Sequence, residues 1–233
     1  HHKLTANHNT ILVNGHGQAG AGREWLQYME FEARAPAPAI LRVESNPAYD
    51  YLLGDAGNIY IDEAGLRSYR RHLLFLKPDI LLVLDDLEAE ADSRFEWLLH
   101  GREAIVEAGA QDYEIVRNKA RLWVHPIQPE TFQADIQERE LDASDVDGKI
   151  VTLNLKVESA RRIRFLVALC ALPDEDSPVP RITVRDGKLN IRHQGQKWTV
   201  AVLEPVEGAD LADPMLTVLR PKVKNKAYSF ERK

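Results

Sequence analysis

The chain has 233 residues, 44% hydrophobic and 28% charged, and its 30 Lys and Arg against 36 Asp and Glu give a formal net charge of −6. Such a balance suits a folded domain with a sizeable core and argues against nucleic acid as a partner, because phosphate backbones call for a basic face. No apolar run approaches the ~20 residues that span a bilayer, so no membrane span is expected.

From the front, His1-His2-Lys3-Leu4 carries neither an initiating Met nor the pattern of a signal peptide, and reads as a start within a longer protein. His8-Asn9-Thr10-Ile11-Leu12-Val13-Asn14-Gly15 sets a histidine at the mouth of a strand near Thr10 to Asn14. Gly15, Gly17, Gly20 and Gly22 follow, and with no helix behind them they read as a mobile hairpin loop rather than a phosphate cradle. Strands are expected at Trp25 to Ala33 and at Ala39 to Glu44. The best helical candidate, Ser45 to Gly54, is short and carries Pro47, so no long helix is expected.

Two apolar runs, Arg70 to Leu76 and Ile80 to Asp86, flank Lys77-Pro78-Asp79 and predict a hairpin covered on both faces. Asp85, Asp86 and Glu88 close the second run and read as a solvated turn. Further strands are expected at Arg94 to Leu99, Tyr113 to Val116, Arg121 to His125 and Thr131 to Gln137. Val151 to Glu158 alternates apolar and polar residues, the mark of a strand with one buried face, and Ile163, Phe165, Val167 and Leu169 repeat it. Cys170 is the single cysteine, which excludes an intramolecular disulfide; inside an apolar run it reads as a buried small hydrophobe. Asp174 to Pro180 is a surface loop, and Asp186-Gly187 between alternating runs predicts a two-residue hairpin turn. Trp198, Val200 and Val202 supply one more strand.

The expected fold is all-β, two stacked antiparallel sheets, with a β-sandwich domain over residues 1–205. Residues 206–233 form a C-terminal extension packed on the sandwich or adding an edge strand to it. The alternating Arg220, Lys222, Lys224 and Lys226 suit a solvated edge strand.

Among residues that carry chemistry, His1, His2, His8 and His16 cluster within the first sixteen positions, but their spacing fits no standard zinc signature. His8 stands apart, because the start of a strand would hold its imidazole firmly. Trp25, Trp97, Trp123 and Trp198 are flanked by apolar residues and read mainly as core rather than sugar platforms. Tyr28, Tyr49, Tyr51, Tyr60, Tyr69 and Tyr113 read as packed, with satisfied hydroxyls. His100 and His125 read as locally hydrogen-bonded.

The stretch from His8 to Gly15 with Gln18 behind it resembles a strand of the heparinase II/III-like polysaccharide lyases. Tyr69 to Asp79, Asp85-Asp86-Leu87-Glu88 and Phe95 to His100 resemble that family's C-terminal β-region, so the matching pieces cover residues 1 to 100. The resemblance implies a larger protein in which an N-terminal α/α-toroid precedes the β-sandwich. It implies cleavage of uronic-acid-containing polysaccharides by β-elimination, in a periplasmic or secreted setting. A zinc ion is implied in the intact protein, with His8 resembling its last ligand and the other ligands upstream of His1, so that the site is incomplete here. No position matches a catalytic acid or base, and this chain alone is expected to be inactive. The alternative expectation is a non-catalytic carbohydrate-binding or scaffolding sandwich.

Overall fold

The computed structural model describes residues 4–20, 37–140, 149–204 and 210–219. The strand expected at Trp25 to Ala33, the basic tail from Arg220, and His1, His2, Gly22 and Tyr28 lie outside them. Among the described residues, alternating and continuous apolar runs become fourteen strands: β1 (Ile11–Val13), β2 (Ala39–Ser45), β3 (Tyr49–Asp55), β4 (Leu66–Leu76), β5 (Ile80–Gly101), β6 (Ile105–Glu107), β7 (Tyr113–Arg117), β8 (Ala120–Gln128), β9 (Gln133–Glu140), β10 (Lys149–Leu172), β11 (Arg181–Arg185), β12 (Lys188–His193), β13 (Gln196–Val202) and β14 (Leu216–Val218). The helices among the described residues are three single 3₁₀ turns, at Thr5–Asn7, Gly57–Ile59 and Asp62–Ala64. None is long and apolar enough to cross a membrane. Ser45 to Gly54 is no helix: Asn46 Oδ1 accepts the amides of Ala48 and Tyr49, turning the chain into β3 at Pro47.

Ten strands form one antiparallel sheet in the order β2-β3-β4-β5-β10-β8-β7-β6, with β1 added to β5 and β9 to β10. The other four form a second sheet, β11-β12-β13-β14. Asp186 and Gly187, with φ of 49° and 66°, make the expected turn between β11 and β12.

The two longest strands organise the whole. β5 and β10 pair along nearly their entire lengths, with register shifts between Val157 and Arg162 opposite the stretch from Glu88 to Phe95. Bulges of this kind bend a strand without ending it. On the near side of the bend β4 and β8 flank the pair; on the far side β1 and β9 do.

Alternation sends β10 side chains into two cores. Ile163, Phe165 and Val167 join Leu87 and Tyr69 from the near side, and Ile11, Phe95, Trp97 and Leu153 from the far side, in one cluster. Leu166, Ala168, Cys170 and Leu172 face Leu189, Ile191, Trp198 and Val200 of the second sheet. The described residues therefore form two antiparallel sheets, as expected, with one apolar cluster among the strands of the large sheet and a second between the large sheet and the small one.

Candidate functional site

His8 follows a 3₁₀ turn and precedes β1, and its backbone is fixed on both sides. Its amide donates to the Thr5 carbonyl at 3.1 Å, and its carbonyl accepts the Thr10 amide at 2.9 Å. Asn9 anchors the same segment to the sheet: Arg71 Nη1 donates to its carbonyl at 2.6 Å, and the His100 amide donates to its Oδ1 at 2.8 Å. The His8 side chain is exposed. His100 lies beside it, half-buried, with Nε2 2.9 Å from the Ala6 carbonyl. Burial holds His100 below the usual imidazole range; the bond to Ala6 works the other way, and the charges of His8 and Arg139 add to the depression. His8 and His100 thus share one rim of the sheet. His16 lies in the turn after β1, bridged to Val13, and joins no such arrangement.

At Gly17 and Gln18 the glycine loop is tied to Thr5 rather than loose. Gly17 packs against Thr5 so closely that a Cβ there would fall 2.4 Å from the Thr5 side chain. Thr5 Oγ1 also accepts the Gln18 amide at 2.8 Å.

The expectation of a solvated turn at Asp85 and Asp86 is overturned. Both sit inside β5, fully buried at 0% and 1% exposure, because β5 runs on past them to Gly101. Asp85 takes a bidentate pair from Arg71, at 2.6 and 2.8 Å, and the Trp97 indole N–H at 3.0 Å. Burial disfavours the Arg71 charge, and the Asp85 carboxylate more than offsets it. Asp86 points to the opposite face, where Arg70 donates to it at 2.9 Å, Arg164 at 3.2 Å and Arg162 at 3.3 Å. Burial pushes the Asp86 carboxyl up, but the three guanidiniums prevail and hold it below the usual range. A cleft of about 560 Å³ opens beside this group, lined among others by Arg162, Arg164, Gln128 and Glu204.

A sequence signal for these pairs existed. If Leu76 pairs with Ile80 across the Lys77-Pro78-Asp79 turn, counting back along the hairpin sets Arg71 opposite Asp85 and Arg70 opposite Asp86, as the register does.

The aromatic residues behave largely as expected. Trp97, Trp123 and Trp198 are buried, so none of them offers a sugar-stacking face; Trp25 lies outside the described residues. Tyr60 donates to the Ile11 carbonyl at 2.7 Å, and Tyr51 lies 2.6 Å from His72 Nδ1. Tyr69 and Tyr113 are also buried, whereas Tyr49 is half-buried with its hydroxyl 3.5 Å from Glu44. His125 donates from Nδ1 to Asp112 at 2.6 Å and stacks on Trp123.

Cys170 is buried as expected, but it has company that the sequence did not announce. His193, at the end of β12, brings Nε2 to 3.7 Å from its sulfur, and the same nitrogen lies 3.3 Å from Asp79 Oδ2. The three donor atoms lie within 4.8 Å of one another, the one grouping of three metal-capable side chains found among the described residues. Burial, with the Asp79 charge adding to it, pushes the Cys170 thiol up to about 12, so without a bound cation it is an inert thiol. Ninety-one positions separate Asp79 from Cys170, so no local motif could reveal the grouping.

Compared with known families, residues 1–167 match the profile described as Heparinase II/III-like, C-terminal. The chain belongs to that heparinase II/III-like family. The matched residues include His8, Arg71, Asp85 and Asp86, and end before Cys170 and His193. Solved structures share the fold of this heparinase II/III-like chain. The heparan sulfate lyase HepC from Pedobacter heparinus aligns with a TM-score of 0.65 at 13% identity, over 84% of this chain and 30% of its own. A structure of heparinase III aligns with a TM-score of 0.61 at 10% identity, over 83% of this chain and 29% of its own. The chain therefore spans about 30% of the length of these lyases. No curated protein matched.

Proposed function

We propose that this chain is the β-sandwich portion of a heparinase II/III-like polysaccharide lyase, and that the intact protein cleaves uronic-acid-containing polysaccharides by β-elimination. The observation that carries the reading is the exposed His8, its backbone bonded on both sides at the rim of the sheet, in a chain of this family. Elimination needs the uronate carboxylate neutralised, the C5 proton removed and the departing C4 oxygen protonated. Side chains outside this chain perform the proton transfers in this reading.

His8 suits a place in a zinc site. It is held by backbone bonds on both sides and presented outward, and an imidazole is a normal zinc donor. In this reading, partners from an upstream α/α-toroid complete the site. His100 and the Arg71–Asn9 bond position the segment that bears it. Zinc there would supply a fixed positive charge that ties the two parts of the protein together. A periplasmic or secreted location belongs to the same proposal.

The rival, a carbohydrate-binding sandwich, would need exposed tryptophan faces; the three described tryptophans are buried. The test is ultraviolet absorbance of unsaturated uronide products from heparan sulfate and alginate. The protein extended upstream should produce them and this chain alone should not. Product from the chain alone, or a natural upstream sequence without a His-x-His motif and a following aspartate, would overturn the reading.

A further inference from the structure

We propose that Asp79, Cys170 and His193 form a second metal site, which takes one zinc ion and clasps the small sheet to the large one. It does not depend on the proposed lyase function. Two of its three residues lie beyond the stretch that matches the family, and β1 pairs with β5 at Phe95 to Trp97, whereas Asp79 and Cys170 lie at the other end of that strand, beside Ile80.

The donors come from three separate places. Asp79 sits in the turn between β4 and β5, Cys170 faces inward from β10, and His193 closes β12 in the second sheet. Cys170 is 0% exposed and His193 6%, while the Asp79 side chain keeps 15%. A histidine, a thiol and a carboxylate converging in so dry a place match the donors that zinc prefers; magnesium or calcium would call for more oxygen ligands.

The spacing agrees with that chemistry. Zinc bonds of ~2.05 Å to nitrogen or oxygen and ~2.3 Å to sulfur, set tetrahedrally, place N and O ~3.3 Å apart and N and S ~3.6 Å apart. The observed separations are 3.3 Å and 3.7 Å. One imidazole nitrogen faces both other groups. Its single proton can serve only one of them, whereas a cation between the three serves both.

Nδ1 of His193 is buried with no hydrogen-bond partner, so the polar contacts that orient the ring are those of Nε2. The nearby cation is engaged elsewhere, since Lys77 bonds Asp50 and the Asn46 carbonyl. On binding, the Cys170 sulfur forms a bond to zinc and its proton passes to solvent. Three protein donors leave a fourth position for water.

The experiment uses the chain as it is, stripped with a chelator and then dialysed against zinc. Metal content by mass spectrometry should be one zinc per chain, and the thermal midpoint should rise on loading. Cys170→Ala and His193→Ala should each abolish the bound ion, with circular dichroism reporting that the sheets persist. His8→Ala should keep it, which separates this site from the one proposed at β1. Cobalt loaded into the unmutated chain should give a thiolate charge-transfer band that Cys170→Ala removes. A folded chain that takes up no zinc, zinc retained in both variants, or a cobalt spectrum without the thiolate band would overturn the proposal.

Discussion

Asp85 and Asp86 are consecutive residues on one strand, and alternation turns them to opposite faces of the same sheet. Asp85 meets one arginine in a closed, bidentate arrangement with an indole N–H beside it. Asp86 meets three arginines, one of them Arg162 at 46% exposure, next to an open cleft. The first balances one charge with one charge and locks the segment bearing His8 through Arg71 and Asn9. The second leaves an excess of positive charge near water. Burial of the carboxylate is the same in both; what differs is whether the partners are matched or surplus.

The sharpest way to break this contrast is to remove the matched carboxylate. Asp85→Ala should cost about 3 kcal/mol, because the half-buried Arg71 charge loses its bidentate partner and the buried Trp97 indole N–H its acceptor. Urea denaturation measures the loss, and amide exchange from Thr10 to Val13 should speed up with it. A loss below about 1 kcal/mol would mean that the pair contributes little.

Of similar size is an effect of pH beside the surplus arginines. Burial first, then the charge of Arg70, lowers His72 from 6.5 to about 4. The unfolded chain takes up the proton near 6.5 and the folded chain only near 4. The neutral ring therefore contributes its full stability above pH 6.5, and this is lost as pH falls from 6.5 to 4. The loss should reach about 3 kcal/mol, and His72→Gln should flatten that limb of the stability curve. The lowered Asp86 carboxyl acts in the same direction but at lower pH, below the usual carboxylate value of 3.8.

Smaller again, Asp86→Asn should cost about 2 kcal/mol, since the amide oxygen still accepts from the arginines and Arg162, at 46% exposure, can turn to water. Added sulfate should recover part of that loss beyond its effect on the unmutated chain, by standing in for the carboxylate. Asp85→Asn should show no such recovery, because Arg71 is the one arginine bonded to it and leaves no surplus charge. The smallest effect belongs to Glu204, which pairs with Arg164 while remaining 83% exposed. Glu204→Gln should leave the denaturation midpoint unchanged.

The contrast also marks how far the sequence could be read. Period-two alternation identified β10 and the hairpin after Ile182, because a half-buried strand writes its facing directly into residue order. It split β10 in two at Glu158-Ser159-Ala160, where polar residues look like a turn and the chain instead bulges and continues. It likewise ended β5 at Asp86, since a buried carboxylate cannot be told from a solvated one until its partners are known. Those for Asp86 come from β4 and from Arg162 and Arg164 on β10. The resemblance at His8 pointed to the family that the match over residues 1–167 establishes. The Asp79, Cys170 and His193 grouping lay beyond such reading, because it depends on how the second sheet docks.

The bent ribbon of β5 and β10 has a consequence for dividing the polypeptide. Since both strands line both apolar clusters, a scission within β5 or β10 would divide each cluster between the two pieces. New chain ends or inserted modules belong instead at the exposed excursion from Asp174 to Val179, which lies outside every strand.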